Sequence, residues 1–243
     1  MTLSIIKKLH KWLSLVIFVQ LFIWLGSGLF FNLMDKDKAR GNHYRQALPF
    51  GQVETNKLIN VAQLMAQHVE PIVTVNLVDR LGKPYYLLTH KAGLYQHFYH
   101  EQRLVDAYTG QVKLVDKFMA QAQAKASYRG SADVISVLLL QPPITDLLKE
   151  KNALWQVNFA DELKTSVYIN ANSGQLIAHS NDDRRFVDFF FMLHFMDYSL
   201  LSAERGFNNW QIIFFALITL FFCLTGMIWT IDLLIKGRYK LKG

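Results

Sequence analysis

The stretch that decides the fold is WLSLVIFVQLFIWLGSGLFFNLM, residues 12–34, which runs for 23 residues without a charged side chain. A second stretch, WQIIFFALITLFFCLTGMIWTI at 210–231, runs for 22 residues without one. A helix needs about 20 apolar residues to cross a bilayer core. Both stretches therefore predict transmembrane helices, and Trp12, Trp210 and Trp229 lie near their ends, where indole rings favour the membrane interface. Buried core helices are the alternative, which the length and the flanking lysines disfavour.

The excess positive charge lies beside these two stretches. The formal net charge is +7, of which residues 1–34 and 210–243 contribute +3 each and residues 35–209 only +1. This distribution argues against a nucleic-acid-binding protein. The positive-inside rule predicts that both termini are cytoplasmic and that 35–209 is extracytoplasmic. The first stretch is too long for a cleaved signal peptide and predicts an uncleaved anchor.

The middle of the chain predicts a duplicated α+β unit. Residues 50–114 begin with a helical pattern, and residues 115–180 repeat the order after a second helical pattern, with a less regular stretch around Pro142. The helical faces are Leu58, Val61, Ala62 and Met65, then Phe118, Ala122 and Tyr128. The β-type runs are 72–79, 84–90, 94–100, 103–108 and a short run after Gly110, then 155–159, 165–171 and 175–180. VDAYTGQV at 105–112 matches INANSGQL at 169–176, and glycine allows each strand to turn with a positive φ. Two matching turns at a fixed offset indicate a repeat.

The helix, the strands and the pattern DAxTGxv resemble the PepSY domain. Two such units between KLHKWLSL (8–15) and LTGMIW (224–229) resemble the PepSY-associated transmembrane family. LHKW (9–12), the two turn motifs, MLH (192–194) and LTG (224–226) are the most specific parts, and the resemblance covers most of the chain. It implies a bacterial inner-membrane protein connected with iron uptake, because the family includes ferric-siderophore reductases. The chain departs from the family at Lys11 and Ser14, at 195–196, and in having two spans where larger members have four or more.

The sequence therefore predicts a membrane protein in which two transmembrane helices flank an extracytoplasmic α+β domain made of two PepSY-like repeats. The predicted boundaries are cytoplasmic tails at 1–11 and 234–243, transmembrane helices at 12–34 and 210–233, PepSY-like units at 35–114 and 115–183, and an aromatic interfacial segment at 184–209.

Histidines near the membrane are the candidate chemical groups. The chain has no nucleotide-binding loop, HExxH, GxSxG or CxxC motif, which argues against most hydrolases, kinases and iron–sulfur proteins. His10 lies at the mouth of the first span, and His194 lies in the aromatic run FVDFFFMLHFMDY before the second. Neutral imidazole is a common axial ligand of haem b, so both are candidate metal ligands. The alternatives are a headgroup contact for His10 and a bond to Asp197 for His194.

A haem site would also need small residues beside the macrocycle and basic groups for the propionates. Gly26, Ser27, Gly28 and Gly226 are the candidate small residues, although glycines also serve close helix packing. Arg184 and Arg185 are candidate propionate partners, as are Arg40, Arg45 and the lysines 7, 8 and 11; headgroup contact is the alternative. His43 is a candidate second outer ligand. His90, His97 and His100 form a weaker candidate metal site, and His68 and His179 are predicted surface residues.

The first span is about 34 Å long, so His10 and His194 lie at opposite faces and cannot bind the same iron. With one histidine at each level, a second copy of the chain is the expected source of the other ligand, or His43 at the outer level. The sequence thus predicts a haem-dependent electron-transfer protein of the ferric-reductase type that reduces an extracytoplasmic acceptor such as a ferric chelate. The alternative is a non-catalytic, membrane-anchored PepSY module or an accessory subunit of a larger envelope complex.

Overall fold

The computed structural model describes residues 3–48, 50–66, 69–197 and 210–238. The chain divides into two units, one formed by 1–34 with 188–243 and the other by 35–187. His68 and residues 198–209 of the predicted interfacial segment lie outside the described residues.

The helices and strands follow one another along the chain with these bounds: α1 Leu3–Leu33, α2 Lys36–Ala39, a 3-10 turn Thr55–Lys57, α3 Val61–Ala66, β1 Thr74–Arg80, β2 Lys83–Lys91, β3 Glu101–Asp106, β4 Val112–Lys113, α4 Lys117–Ser127, β5 Val134–Leu140, β6 Leu154–Phe159, β7 Ser166–Asn170, β8 Leu176–Ser180, α5 Asp182–His194 and α6 Trp210–Ile235.

Helices α1 and α6 are long and apolar enough to cross a membrane, which confirms the two predicted candidate spans. Only 17% and 11% of the residues in their most apolar windows are buried. Large apolar side chains such as Trp12, Phe22 and Leu25 are exposed instead. A core helix of a soluble protein is apolar and mostly buried, whereas these helices present apolar side chains outward. Helix α1 begins at Leu3, nine residues before the predicted span.

Helices α1 and α6 pack against each other in antiparallel directions. His10 contacts the Phe222–Thr225 turn of α6, whereas Trp24 contacts Phe215, so the chain directions run opposite. His10 and Trp24 contact α6, and the buried residues of α1 share their face at positions that fit alternating spacings of three and four residues: Ile6, Ile17, Gln20 and Ser27. Such a spacing keeps one seam of a helix against its partner. The seam is apolar except for a few buried polar side chains.

The unit 35–187 contains two four-stranded antiparallel sheets with the same strand order, β1-β2-β3-β4 and β5-β6-β7-β8. Helix α3 precedes the first sheet, and α4 precedes the second. The largest core cluster takes Tyr85, Leu87 and Leu104 from the first sheet, Ala120 and Ala124 from α4, and Val157, Phe159, Val167 and Ile169 from the second sheet. The predicted central β region is confirmed, and one core joins its two sheets.

The two matching turn motifs have the same hydrogen bonds. The side-chain oxygen Oδ1 of Asp106 accepts from the backbone N–H groups of Tyr108 and Thr109. Oδ1 of Asn170 accepts in the same way from the N–H groups two and three residues later. Gly110 and Gly174 close the turns with φ of +74° and +64°. Strands β3 and β7 thus end in the same way. An Asp or Asn side chain accepts from the backbone N–H groups two and three residues later, and a glycine with positive φ follows.

Two strand predictions are wrong. The run 94–100 is a loop: the Phe98 N–H donates to the Tyr95 carbonyl oxygen, and the His100 ring nitrogens bond within the loop. These local hydrogen bonds replace the ladder bonds that a strand would need. Conversely, 134–140 in the stretch predicted to be less regular is strand β5, paired along its length with β6.

The predicted helical faces are also wrong, and so is the surface position of His179. In α3 the buried residue is Leu64, whereas Val61 and Met65 are exposed. In α4 the buried face contains Ala120, Gln123, Ala124 and Ser127, while Phe118 and Ala122 are exposed. Alanine and serine allow a helix to approach a sheet closely, so the larger side chain points outward. Tyr128 is buried as predicted, and His179 is 1% exposed.

The alanine face of α4 leads to a packing prediction. Ala124→Leu should lower the free energy of unfolding by about 1–3 kcal/mol, because the extra carbons must enter a filled core. The measurement is urea unfolding of the full chain in detergent, followed by circular dichroism. Ala122→Leu introduces the same side chain at an exposed position of the same helix and should change the stability little. Equal effects of the two substitutions would contradict this face assignment.

Candidate functional site

His10 is fixed at one end of the helix pair by a residue of α6. Its Nδ1 lies 3.1 Å from Oγ1 of Thr225. The ring stacks on Phe222 with 4.3 Å between centroids and meets Trp229 edge-on at 5.6 Å. Nδ1 of His10 thus bonds a residue of α6 and not a lipid headgroup, which was the alternative considered above.

The direction of this hydrogen bond follows from the second bond of Thr225. A threonine hydroxyl carries one proton. That proton is donated to the Phe222 carbonyl oxygen, 2.8 Å away in the preceding turn of α6. Both contacts are hydrogen bonds at once only when Oγ1 of Thr225 accepts from the N–H of His10 at Nδ1. In the neutral ring, Nε2 then carries the unprotonated lone pair.

His194 is fixed at the other end by the same arrangement. Its Nδ1 lies 2.8 Å from Oγ of Ser27 in α1, and the Ser27 hydroxyl donates to the Ile23 carbonyl oxygen at 2.7 Å. Both contacts are hydrogen bonds at once only when Nδ1 of His194 is the donor, and in the neutral ring Nε2 is then the unprotonated nitrogen. Among the residues that the structure describes, neither imidazole has a hydrogen bond at Nε2.

The candidate glycines lie at different distances from these rings. A Cβ atom on Gly226 would lie 2.9 Å from Cε1 of His10, closer than real contacts of this kind. A Cβ atom on Gly28 would lie 3.9 Å from Cε1 of His194, and one on Gly26 would have no atom within 4 Å. Gly226 therefore makes room for the His10 imidazole itself.

The two sites are far apart along the helix pair. His10 and Ser27 are 17 residues apart in α1, which corresponds to about 26 Å along the helix axis. These two sites thus lie towards opposite ends, as predicted, and no single metal ion contacts both imidazoles. His10 and His194 are also the only histidines in the unit 1–34 with 188–243.

The donor set fits an axial haem ligand better than a metal site made of protein ligands alone. Across the described ranges, no group of three or more His, Cys, Asp or Glu side chains is arranged to hold a metal ion. Haem iron needs only axial ligands from the protein. An imidazole that ligates through one nitrogen donates the other N–H to a fixed acceptor, which orients the ring. His10 with Thr225 and His194 with Ser27 have this form, with one such histidine at each end.

Comparisons with protein-family models, curated proteins and solved structures find no match to this chain. The assignment of function therefore depends on the geometry of the residues themselves.

Arg184, Arg185 and His43, three of the candidate haem-site residues, belong to the unit 35–187, where they have other contacts. Arg184 donates from Nη1 to the His179 carbonyl oxygen at 3.0 Å. Arg185 donates to Asp146 at 2.9 Å and also to Asp182. The His43 carbonyl oxygen accepts from the Arg129 guanidinium, and its ring meets Tyr44 edge-on.

The weaker candidate histidines are not brought together as metal ligands in the described part of the chain. His100 accepts at Nδ1 from the Gly93 N–H, and its Nε2 lies 3.0 Å from the Tyr95 carbonyl oxygen, so both ring nitrogens are engaged in its own loop. The His97 ring stacks beside Tyr95. Nδ1 of His90 lies 3.1 Å from the Pro71 carbonyl oxygen.

The sequence analysis named Ser27 only as a small residue and did not single out Thr225, so it missed both as hydrogen-bond partners of the histidines. Each lies within an apolar stretch directly beside a glycine, in GSG (26–28) and TG (225–226). A hydroxyl residue at the point where two helices approach closely is a signal for an interhelix hydrogen bond. That signal identifies both residues but not the histidine that each one binds.

The direction of the two histidine bonds predicts which ring nitrogen is protonated. In ¹⁵N spectra of histidine-labelled chain in detergent, His10 and His194 should each show a protonated Nδ1. Thr225→Val should move the proton of His10 towards Nε2, because the acceptor is lost, and should leave His194 unchanged. Thr219→Val is the matched control, since Thr219 bonds only the Phe215 carbonyl oxygen among described residues. An unaltered His10 signal in Thr225→Val would contradict the assigned bond.

The Arg185–Asp146 pair predicts an acid-sensitive part of the stability. Burial alone would raise the pKa of Asp146, but hydrogen bonds from Arg185 and neighbouring hydroxyls outweigh it and hold the pKa below its ordinary value of 3.8. A depressed folded-state pKa contributes stability above the unfolded-state value, which is lost as pH falls through the folded-state value.

Asp146→Asn should therefore lower the free energy of unfolding at pH 7 by about 2 kcal/mol, because Arg185 loses a charged partner. The free energy of unfolding of the variant should also fall less steeply below pH 4 than that of the wild type. Urea unfolding of the full chain at pH 7 and pH 3 measures both effects. Asp133→Asn removes an exposed carboxylate elsewhere in this unit and should leave both nearly unchanged. A stability–pH curve of Asp146→Asn that parallels the wild type would rule out this role.

Proposed function

We propose that α1 and α6 cross the bacterial inner membrane, with both termini in the cytoplasm and with residues 35–209 on the extracytoplasmic side. The charge distribution supports this orientation, because 1–34 and 210–243 carry nearly all the excess positive charge. The exposed apolar side chains of α1 and α6 support the membrane environment. Exposing apolar side chains to water is unfavourable, and contact with lipid avoids this cost.

We further propose that the extracytoplasmic domain consists of two PepSY-like repeats. Two sheets with one strand order, each preceded by a helix, support a duplication. The shared hydrogen bonds of the turns at 106–110 and 170–174 support it independently. A chance similarity would not be expected to reproduce the same Asx bonds and the same positive-φ glycine at matching places.

Haem-dependent electron transfer is the function that we propose for the helix pair. The observation that carries it is the hydroxyl-fixed Nδ1–H of both histidines, which leaves an unprotonated Nε2 at each end. His10 and His194 would be axial ligands, and Thr225 and Ser27 would fix their orientation. Haem b supplies a one-electron carrier when bound. The protein would then be an oxidoreductase of the ferric-reductase type, with an extracytoplasmic ferric chelate as the proposed acceptor.

The second axial ligand is proposed to come from a second copy of the chain. The unit 1–34 with 188–243 contains one histidine at each end, so a second imidazole at either end must come from elsewhere. A homodimer would supply His10 and His194 twice. His43 is the alternative at the outer end.

A non-catalytic function is the second candidate, and a specific observation favours it. The His10 imidazole fills the space beside Gly226 and stacks on Phe222, so it already serves as an interhelix contact. On this alternative, the helix pair anchors an extracytoplasmic module that binds another envelope protein, or the chain is an accessory subunit of a larger complex.

Haem content decides between the two functions. Full-length chain purified in detergent and supplied with haem should give a haem b spectrum in the pyridine haemochrome assay. In a dimer that shares one haem at each end, His10→Ala and His194→Ala should each remove about half of the bound haem, and the double variant should remove all of it. Thr225→Val should weaken haem binding at its end by roughly tenfold, because the ligand loses its orienting partner.

His97→Ala is the control, since this histidine lies in the loop 92–100 of the other unit and should not alter haem content. Folded, colourless wild-type chain after incubation with haem would refute the electron-transfer proposal. The anchored module would then be the remaining candidate. A monomer with two imidazoles on one iron would refute the shared-haem arrangement.

A further inference from the structure

A cavity of about 790 Å³ lies within the unit 35–187, between parts of both sheets. The turn between β1 and β2 forms one wall, and Gln175 and Leu176, directly after the second turn motif, form another. Arg80 joins these walls, because its Nε donates to the Ser173 carbonyl oxygen at 2.8 Å. Ten of the residues between Asp35 and Phe50, together with Gln123 and Arg129, complete the lining. The volume falls in the range of small-molecule sites.

Several charged side chains in the lining are already used to build the walls. The Asp35 carboxylate accepts from the N–H groups at the start of α2. The Asp79 carboxylate accepts from the N–H groups of Gly51 and Gly82. Arg129 donates to the His43 carbonyl oxygen. These groups shape the cavity and hold its walls together, so they are poor candidates for ligand contacts.

Two amide oxygens in the lining have no hydrogen-bond partner among the described residues. Gln123 is 2% exposed, and its Oε1 accepts no hydrogen bond from this part of the chain. Oδ1 of Asn42 is buried and equally without a donor there. Buried amide oxygens are normally hydrogen-bonded, so two of them in one cavity wall indicate that a bound molecule supplies the donors. Because Gln123 projects from the buried face of α4, its unpaired amide oxygen lies in the wall of the cavity and not on the outer surface.

The cavity also contains a cation that no carboxylate neutralises. Arg45 has no ion pair and no side-chain hydrogen bond with any residue that the structure describes. Its charge acts on the buried His179, whose pKa is lowered to about 4 by burial and secondarily by Arg45. A guanidinium with five free donors is suited to a carboxylate. A ligand that matches this cavity therefore carries both an anionic group and a hydroxyl or amide donor.

We propose that this cavity binds a small hydroxycarboxylate. A carboxylate group of the ligand pairs with the guanidinium of Arg45, and a hydroxyl group donates to the amide oxygen of Gln123. Asn42 accepts a second hydroxyl or a bridging water. The site is built entirely from residues of the 35–187 unit, and it does not depend on haem binding.

Citrate and tricarballylate provide the test, because they differ only in the hydroxyl group. Isothermal titration of the full chain in detergent should give a dissociation constant for citrate about tenfold lower than for tricarballylate, which corresponds to one buried hydrogen bond. Arg45→Gln should weaken both ligands by roughly tenfold or more. Gln123→Leu, which keeps the side-chain volume, should remove the preference for citrate and leave tricarballylate binding unchanged.

Arg40→Gln is the matched control. It makes the same charge change five residues earlier in the chain, outside the lining, and should alter neither affinity. Absence of citrate binding at millimolar concentration would overturn the proposal and mean that water alone fills the cavity. A preference for citrate that persists in folded Gln123→Leu, or citrate binding unaffected by Arg45→Gln, would overturn it as well.

Two further comparisons keep the test decisive. If Gln123→Leu fails to fold, the citrate preference of the wild type and the effect of Arg45→Gln still decide the outcome. The His10→Ala, His194→Ala double variant should bind citrate as the wild type does. Loss of haem without loss of citrate binding would therefore separate a failure of the haem proposal from a failure of this one.

Discussion

A hydroxyl group has one proton, and in both helix-pair sites that proton is donated to a carbonyl oxygen of its own helix. With that proton donated, Thr225 and Ser27 accept from the imidazole that faces them. This constraint sets the tautomer of His10 and His194 without any charged neighbour. In an apolar environment the alternative, an imidazole N–H with no acceptor, costs far more than the same loss in water. The two bonds thus determine how α1, α6 and the end of α5 face one another.

The helix seam shows how polar groups are accommodated at such a contact. Ile6, Ile17 and Phe215 bury apolar side chains, and His10, Gln20 and Ser27 interrupt them at positions of the same repeat. Polar residues at seam positions fix the register of a helix pair at some cost in stability. His10 has its partner in α6 and Ser27 has its partner in α5, so sliding α1 by one turn would break both bonds. The position of α1 is thus determined at two points about 26 Å apart.

Charge-free length was sufficient to predict α1 and α6, because crossing a bilayer requires little else of a sequence. The antiparallel strands were mostly predictable from β-type runs separated by glycine turns. Strand β5 was missed because its extended conformation depends on pairing with β6, which its own composition does not indicate. The faces of α3 and α4 were mispredicted because small residues, not large apolar ones, face the sheet in α4.

The candidate site was only half predictable. The sequence indicates His10 and His194 by their place beside apolar stretches, but it cannot indicate that Ser27 and Thr225 face them. Those contacts depend on the rotation of α1 relative to α6, which follows from the packing of the whole seam. The cavity in 35–187 was not predictable at all, since its walls come from four separate parts of the chain.

The structural and the chemical interpretations of the two histidines use different nitrogens. Nδ1 serves the interhelix bond, and a serine, asparagine or glutamine could donate such a bond equally well. Only imidazole adds a second ring nitrogen, which in the neutral form carries a lone pair whenever the first nitrogen is the donor. The helix pair uses imidazole at both ends, each time with a hydroxyl whose own proton is already committed. The interhelix contact uses only Nδ1, whereas the proposed axial ligation would use Nε2.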